Sequence, residues 1–381
     1  MVWYSRRVRT GSRAWLASSS IVSSMLWTIT QSTVTVTTVT VNGDVFPDHL
    51  LTVLRFVTGA PALGYSRAPV RLTGGFWAEL FAFSLVQPPE GWPRDLVVRV
   101  MPHADTARRE TAIQRAVAAA GFPTPVVRAA GGSDDGLGNA FMIMDRAPGT
   151  PLLSGLSITG ALRRGRALFG EIPRLLASTM AHLHALDPEL VRGQLVAIGA
   201  TIVSISSMLA VIRERAADFG RPDLAQAAQW LIDHPAHPSP DVICHGDLHP
   251  FNLLFDGSGV TLLDWSTGLL ASRSYDVACT SLALSEAALE VPGWLRPGVR
   301  WIGRRMAGRF RRGYERSSGI VIDQAELAWH QAVLCLRALV EMSGWTHAGQ
   351  EGAHRDHPWL ASGSAFAARL TAATGVAVIW R

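Results

Sequence analysis

Two spaced polar motifs in the second half of the chain constrain its fold more than any other feature. Residues 245–252 read His-Gly-Asp-Leu-His-Pro-Phe-Asn and follow a short apolar run. Within 253–263, two further apolar runs flank an Asp-Gly-Ser-Gly turn, a pattern that predicts a β-hairpin. Asp264 comes directly after the second run. The hairpin is therefore expected to bring Asp264 back beside Asp247 and Asn252.

These three side chains have the chemistry that phosphoryl transfer requires. One carboxylate must accept a proton from a hydroxyl group, and an amide oxygen with a second carboxylate must hold Mg²⁺ on the phosphates. The pattern H-x-D-x-x-x-x-N, followed by an aspartate 17 residues after the first, is the arrangement of the kinase catalytic loop and magnesium aspartate. Asp247 is the predicted base, and Asn252 and Asp264 are the predicted metal ligands.

A metal-dependent phosphoester hydrolase is an alternative interpretation of the same segment. His245, Asp247 and His249 form an H-x-D-x-H pattern that offers three metal ligands. That interpretation leaves Asn252 and Asp264 unexplained at their kinase spacing, so we favour phosphoryl transfer.

The whole chain predicts an α+β fold with two lobes. Short apolar strands alternate with a single helix, expected over 106–120, as far as about residue 153. We expect an N-lobe at 46–148 and a helical C-lobe at 149–381. Further helices are predicted over 172–186, 202–219, 224–232, 300–314 and 324–342. Residues 1–45 are expected to be an N-terminal extension. Three interpretations are open for it: an unpaired tail, a targeting segment, or the product of a start codon assigned too early.

The two motifs resemble those of the aminoglycoside phosphotransferase and choline-kinase-like family. The match includes the 245–252 run and the Leu-Leu-Asp-Trp run at 262–265. Other segments that fit the family are 109–125, 141–149, 183–187 and 275–278. The resemblance covers roughly residues 50–345 and implies a two-lobed protein-kinase-like fold, with a small, mostly β N-lobe and a larger, mostly helical C-lobe.

The resemblance also implies roles for residues of the C-lobe. Asp247 would be the catalytic base that faces a substrate hydroxyl. Asn252 and Asp264 would hold Mg²⁺, His245 would brace the loop, and Asp276 would be a structural carboxylate. The cofactors implied are ATP and Mg²⁺, and the reaction is phosphoryl transfer to an alcohol group of a small molecule.

On the nucleotide side, the resemblance implies a phosphate-binding cation with an acidic partner. Arg99 ends a strand and Glu110 lies on the next helix, so these two residues take those places. The remaining nucleotide contacts implied are the backbone of Met144, Asp145 and Arg146 at the adenine, and Gly74 and Gly75 in the loop over the phosphates.

The chain contains no lysine, so all 35 of its basic residues are arginines. A P-loop and a Schiff-base lysine are therefore excluded. Kinases usually place lysine where this chain offers only Arg99, although a guanidinium can also hold phosphate oxygens. This departure and the short glycine loop suggest a second hypothesis, a nucleotide-binding pseudokinase scaffold. The complete set of Asp247, Asn252 and Asp264 argues against it.

The charge distribution gives little support for a polyanionic partner. Four arginines precede the first acidic residue, Asp44, and account for most of the net charge of +5. Nucleic-acid binding is therefore not expected. Residues 193–212 carry no charge, but their polar content favours a buried helix over stable membrane insertion. Three widely separated cysteines favour the cytoplasm, and nothing indicates an oligomeric state.

A run of seven arginines between residues 300 and 316 is opposed only by Glu315. A solvated helix face is the favoured interpretation, and an anion site is the alternative. The run argues mildly against a polycationic aminoglycoside as the acceptor. The acceptor classes left open are amino sugars, sugars, amino alcohols and antibiotic-like molecules.

Overall fold

The computed structural model describes residues 45–72, 78–152, 170–286, 296–349 and 358–380. The strands are β1 (Tyr65–Leu72), β2 (Glu79–Leu85), β3 (Asp95–Met101), β4 (Val127–Gly131), β5 (Ala140–Asp145), β6 (Thr150–Pro151), β7 (Asp241–Cys244), β8 (Leu253–Phe255), β9 (Val260–Leu262) and β10 (Leu269–Ser272). The helices are α1 (Phe46–Thr58), α2 (Ala104–Ala119), α3 (Ile172–Leu183), α4 (Glu189–Ala197), α5 (Ile205–Asp218), α6 (Pro222–Asp233), α7 (Arg273–Ser285), α8 (Arg296–Ser318), α9 (Gln324–His347) and α10 (Gly363–Thr374), with a 3₁₀ helix at Pro358–Ser362.

A five-stranded antiparallel sheet forms the N-terminal part of the molecule, in the order β1-β2-β3-β5-β4. Strand β3 is central, and its Arg99 lies opposite Leu80 of β2 and Met142 of β5. The apolar residues of β2, β3 and β5 form a core together with helix α1, which buries Leu50 and Leu54. The predicted strands over 95–100 and 141–144 are confirmed within a residue or two.

Helix α2 joins this sheet to the rest of the protein. Its Ile113 and Val117 are fully buried in the large C-terminal core, not in the core of the sheet. Gln114 Nε2 donates to the carbonyl oxygen of Pro125 over 2.8 Å, which fixes the turn that follows the helix. Glu110, on the first half of the helix, is buried against β3. The helix therefore sets the position of the sheet relative to the helical lobe.

The C-terminal lobe is helical around two short β ladders. Strand β7 pairs antiparallel with β10, and β8 pairs with β9 and with β6. The predicted hairpin is confirmed, since Leu253 lies opposite Leu262 and Phe255 opposite Val260. The predicted α+β class with a mostly β first lobe and a helical second lobe is therefore correct.

The uncharged run 193–212 does not form one buried helix, whereas the helix predicted over 202–219 is confirmed as α5. Helix α4 ends at Ala197, and α5 begins at Ile205 after a short loop. The side chain of Ser204 accepts from the amide of Ser207 over 3.1 Å, and the Ser207 hydroxyl accepts from the Ser204 amide over 3.0 Å, which forms a capping box. The serines that dilute the apolar run thus start a new helix. Within the described residues, no helix is both long and apolar enough to cross a bilayer.

Candidate active site

The loop 245–252 connects β7 to β8 and carries most of the predicted site. The ladder between β7 and β10 ends with Cys244 opposite Leu269, so the loop starts from a fixed point. Gly246 has φ +74°, and a Cβ at this position would lie 2.7 Å from the carbonyl oxygen of Thr267. Only glycine allows this close approach. The Thr267 hydroxyl donates to the carbonyl of His245 over 2.8 Å, so the loop is held against the segment that carries Asp264.

Asp276 anchors the start of this loop from helix α7. It is fully buried, and its two carboxylate oxygens accept from the amides of His245 and Gly246 over 2.9 and 2.8 Å. His184 Nε2 lies 3.2 Å from Oδ2, and His184 Nδ1 lies 2.9 Å from the hydroxyl of Tyr314. Burial by itself raises the pKa of Asp276, but these hydrogen bonds outweigh it and the pKa is lowered.

His245 is held through both of its ring nitrogens. Nδ1 lies 3.2 Å from the amide nitrogen of Asp247, which can only donate, so Nδ1 is the acceptor. Nε2 therefore carries the proton and donates to the carbonyl of Leu263 over 3.0 Å. Burial lowers the pKa of His245, in agreement with a neutral ring. Both nitrogens are engaged, so His245 links the 245–252 loop to the residue before Asp264.

Asp247 is almost completely buried, at 1% exposure. Asn252 Nδ2 donates to its backbone oxygen over 2.9 Å and to Oδ2 over 3.2 Å. Oδ1 lies 3.3 Å from Nε2 of His249 but makes no hydrogen bond within the described parts of the chain. Burial raises the pKa of Asp247, and His249 partly offsets that rise. Asp247 thus has one buried carboxylate oxygen that is still able to accept a proton.

Asp264 lies in an uncommon backbone conformation, with φ +65°. Its carboxylate forms a bidentate ion pair with Arg99, whose two terminal nitrogens donate over 3.2 Å each. The Ser266 hydroxyl also donates to Oδ1 over 2.5 Å. The turn after β9 therefore aims Asp264 at the central strand of the sheet.

Arg99 lies between two carboxylates. Its Nε is 3.4 Å from Oε1 of Glu110, a longer contact than the two to Asp264. Burial raises the pKa of Glu110 to about 7, although Arg99 opposes that rise. The attraction of Asp264 and Glu110 raises the pKa of Arg99 against the effect of its own burial. The structure brings the predicted cation and its predicted acidic partner together, and it adds Asp264 as the cation's closer partner.

The predicted adenine contacts lie at the end of β5 and just beyond it. The amide of Asp145 donates to the carbonyl of Val126 over 3.0 Å, and the amide of Arg146 donates to the carbonyl of Asp95 over 3.1 Å. These two donors serve the sheet, and an adenine at this position would have to use carbonyl oxygens or later amides. Gly74 and Gly75 lie outside the described residues.

Several contacts around the site were not given a role by sequence reasoning. Ser266 and Tyr314 bind Asp264 and His184 respectively. Arg109 fixes helix α2 to the helical lobe by donating to the carbonyls of Thr201 and Gly268 over 3.0 and 3.1 Å. The partners of Tyr314 and Arg109 are distant in sequence, so local patterns could not indicate these contacts. Ser266 lies only two residues from Asp264, and that spacing could have drawn attention to it.

A second convergent group lies behind the loop, where His184, Cys244 and Asp276 place ligand atoms within 4.8 Å of one another. The Sγ of Cys244 donates to the carbonyls of Ala271 and Ser272 over 3.5 Å each. Burial raises the pKa of this thiol well above its usual value. Since a metal needs the thiolate, the group is better described as a hydrogen-bonded support than as a metal centre.

Comparison with solved structures shows a shared fold. A Ralstonia eutropha protein assigned to the aminoglycoside phosphotransferases superposes with a TM-score of 0.60 at 20% identity, over 87% of this chain and 97% of that one. The aminoglycoside phosphotransferase APH(4)-Ia, in a ternary complex with ADP and hygromycin B, superposes with a TM-score of 0.53 at 19% identity. The match covers 85% of this chain and 97% of that one. Plasmodium vivax ethanolamine kinase superposes with a TM-score of 0.52 at 12% identity, over 82% of each chain. The fold is therefore the two-lobed, protein-kinase-like fold of these proteins.

Two curated relatives are similar over about half of the chain. Acyl-CoA dehydrogenase family member 11 of Pongo abelii is 26% identical over 189 residues, which are 48% of this chain and 24% of that protein. Family member 10 of Mus musculus is 26% identical over 204 residues, 50% of this chain and 18% of that protein. This chain thus spans about a quarter or less of the length of these relatives.

The family comparison covers a larger share of the sequence. Residues 84–330 match the phosphotransferase enzyme family, which is well over half of the chain. The matched region includes Arg99, the 245–252 loop, Asp264 and Asp276. The chain belongs to the phosphotransferase enzyme family.

Proposed function

We propose that this protein uses ATP and Mg²⁺ to transfer a phosphoryl group to a hydroxyl of a small molecule. The observation that carries the proposal is the buried Asp247, whose Oδ2 is fixed by Asn252 while its Oδ1 has only His249 Nε2, at 3.3 Å, beside it among the described residues. A buried carboxylate with so few hydrogen bonds is costly, so its persistence favours a functional role. Asn252 and Asp264 lie near Asp247, and phosphoryl transfer requires ligands of this kind to hold Mg²⁺ on the phosphates.

Asp247 would receive the proton of the attacking hydroxyl on Oδ1. Asn252 fixes the other carboxylate oxygen through Nδ2, so the orientation of Asp247 is set before the substrate arrives. The raised pKa of Asp247 makes it a stronger base than an exposed aspartate. This chain thus supplies positioning and a proton acceptor, the main protein contributions to phosphoryl transfer.

The residues present fit a magnesium ion. Asn252 uses its Nδ2 on Asp247, which leaves the amide oxygen as the atom able to bind a cation. Asp264 would supply a carboxylate by exchanging its ion pair with Arg99 for the metal ion, and hard oxygen donors of this kind are the ligands Mg²⁺ prefers. When bound, the ion would neutralise charge on the phosphate oxygens. Arg99, held between Asp264 and Glu110, would hold phosphate oxygens through its planar guanidinium.

Two rival functions are less well supported. A metal-dependent hydrolase would need His245 as a ligand, but both ring nitrogens of His245 already make hydrogen bonds. The arginine at position 99 is the reason to consider a pseudokinase scaffold. A scaffold that does not catalyse a reaction has no need of Asp247 and Asn252, yet both are present and buried.

An assay of ADP release with Mg-ATP tests the proposal against both rivals. The acceptor panel covers amino sugars, sugars, amino alcohols and macrolides, each measured with and without Mg²⁺. Magnesium-dependent turnover with any of them supports the phosphotransferase. Mg-ATP binding without turnover across the panel favours the scaffold, and phosphoester hydrolysis in the absence of ATP overturns the proposal.

Removing the guanidinium of Arg99 should weaken nucleotide binding. We expect Arg99→Ala to raise the Kd for Mg-ATP by at least about tenfold. The reason is that a hydrogen bond to a charged group contributes about 1.5–3 kcal/mol to binding. Arg99→Lys keeps the charge and should lose less. The Kd is measured by calorimetric titration, and circular dichroism checks that Arg99→Ala still folds without the contacts from Arg99 to Asp264 and Glu110. Arg94→Ala, which changes an exposed arginine just before the same strand, is the control. Unchanged affinity in Arg99→Ala would contradict the assignment of the phosphate-binding cation.

The raised pKa of Asp247 predicts an acid limb in the pH profile. The base works only when it is ionised, so kcat/KM should fall as the pH drops through a pKa above the usual aspartate value. His249 lowers the pKa of Asp247, so His249→Gln should move the limb to higher pH. Mg-ATP binding is measured at each pH as well. This distinguishes a change in the ionisation of the nucleotide from the ionisation of Asp247. A limb at the same pH in both proteins would refute the coupling between the two residues.

A further inference from the structure

Six of the seven arginines in the 300–316 run of helix α8 fall into two groups in the structure, and the seventh, Arg304, is exposed outside both. Three members of the run have partners that account for them. Arg300 Nε lies 3.6 Å from Oε2 of Glu286, the guanidinium of Arg305 stacks 4.6 Å from the ring centroid of Trp301, and Arg311 donates to Gln324. These arginines stabilise the helix and its contacts with its neighbours.

The other group lines a cleft between α8 and α3. Arg309, Arg312 and Arg316 follow helical spacing on one face of α8, and Arg174 extends from the first turn of α3 on the other side. The floor includes Gly313, where a Cβ would lie 3.0 Å from the Cβ of Ala177. The two helices therefore approach closely at Gly313, which brings their arginines together around one space.

Among the described residues, two acids lie close in sequence to the arginines of the cleft, Glu171 beside Arg174 and Glu315 beside Arg316. Within the described parts of the chain, no carboxylate lies within 4.0 Å of a guanidinium nitrogen of Arg174, Arg312 or Arg316. The neighbouring acid Glu315 is engaged elsewhere, since its Oε1 accepts from the amide of Ile322 over 3.3 Å. Like charges four residues apart on a helix, such as Arg312 and Arg316, destabilise it. The repulsion between these arginines therefore destabilises the free protein, and a bound anion would offset that repulsion.

We propose that this cleft binds an oxyanion of the phosphate class, such as inorganic phosphate, diphosphate or the phosphate group of a small metabolite. Planar guanidinium groups bind phosphate oxygens in pairs of parallel hydrogen bonds. The cleft has a volume of about 180 Å³ and is open to solvent. It has room for a phosphate or diphosphate group, and the rest of a larger ligand would extend into solvent.

The proposed anion site is separate from the active site. Pro173 at the cleft and His184, which contacts Asp276, lie at opposite ends of α3. At about 1.5 Å per residue, they are about 17 Å apart along the helix axis. The proposal is therefore independent of the proposed phosphoryl transfer, and its test needs neither ATP nor Mg²⁺.

Calorimetric titration with pyrophosphate, at constant ionic strength and without Mg²⁺ or nucleotide, tests the site on the full chain. Arg312→Gln combined with Arg316→Gln should weaken binding by at least about tenfold, because two of the charged donors are lost. Arg304→Gln changes an exposed arginine of the same helix outside the cleft and should bind as the wild type does. Arg99→Ala should leave this binding in place, which separates it from anion binding at the active site.

Three outcomes would overturn the proposal. One is equal pyrophosphate binding in the wild type and the Arg312→Gln/Arg316→Gln protein. The second is an equal loss in the Arg304→Gln control, which would indicate a general effect of net charge. The third comes from flotation with phosphatidylserine vesicles: binding to vesicles that requires Arg312 and Arg316, with no binding of pyrophosphate, would assign the cleft to a membrane surface. A titration with inorganic phosphate distinguishes a single-phosphate from a diphosphate ligand.

Discussion

Replacing Asp247 with asparagine is expected to lower kcat by about 10²- to 10⁴-fold, the usual contribution of a positioned general base. Asparagine has nearly the same shape and cannot accept the proton at the position of Oδ1. The hydrogen bond from Asn252 to the backbone oxygen of residue 247 does not depend on the side chain. The loop should therefore keep its conformation, and Mg-ATP affinity should stay within a few fold of the wild type.

The measurement is steady-state ADP release with a productive acceptor, together with calorimetric titration of Mg-ATP. Asp218→Asn changes an exposed aspartate at the end of α5 and should leave both quantities unchanged. Activity of Asp247→Asn comparable to that of the wild type would remove Asp247 from the mechanism. A parallel loss of Mg-ATP binding would instead indicate that Asp247 shapes the nucleotide site.

Replacing Asp276 with alanine is expected to lower the free energy of unfolding by about 3–5 kcal/mol. The fully buried carboxylate accepts from the amides of His245 and Gly246 and from His184. Alanine would leave all three donors without a partner, at about 1–3 kcal/mol for each buried group. The same change should reduce turnover, because the 245–252 loop loses its anchor.

Chemical denaturation monitored by circular dichroism measures this loss. Asp276→Asn keeps an oxygen acceptor and should lose less stability than alanine. Because the pKa of Asp276 is lowered on folding, its stabilisation is present above the usual aspartate pKa and disappears as the pH falls through the folded-state value. The difference between the wild type and Asp276→Ala should therefore shrink in acid. A difference that stays constant with pH, or a fully stable alanine variant, would contradict this account.

Local sequence patterns predicted the parts of the site that lie close together in the chain. The turn Asp-Gly-Ser-Gly and its flanking apolar runs predicted the hairpin of β8 and β9, and the structure confirms its register. The hairpin brings Leu263 back to Asn252, where its amide donates to the Asn252 carbonyl over 2.9 Å. Short loop closure and a specific turn are decided by neighbouring residues, so these contacts were accessible from the sequence.

Other features depended on residues too far apart for local reasoning. The uncharged run 193–212 had the composition of one buried helix, but capping by Ser204 and Ser207 divides it. The arginines of α8 looked alike in the sequence. The structure shows that three of them face Arg174 across a cleft, while Arg300 lies beside Glu286. Which side of a helix meets a neighbour follows from packing, which periodicity alone does not specify.

The sequence by itself predicted the two-lobed fold, which the structure confirms, and it selected the 245–252 loop and, through the absence of lysine, Arg99 as the candidates for the proposed chemistry. Only the tertiary structure decided how these parts meet. Arg99 and Asp264 are separated by 165 positions. Their bidentate contact depends on α2, which meets β3 through Glu110 and buries Ile113 and Val117 in the C-terminal core. A motif can state which groups a reaction needs, but bringing distant groups within 3.2 Å requires the packing of the whole core.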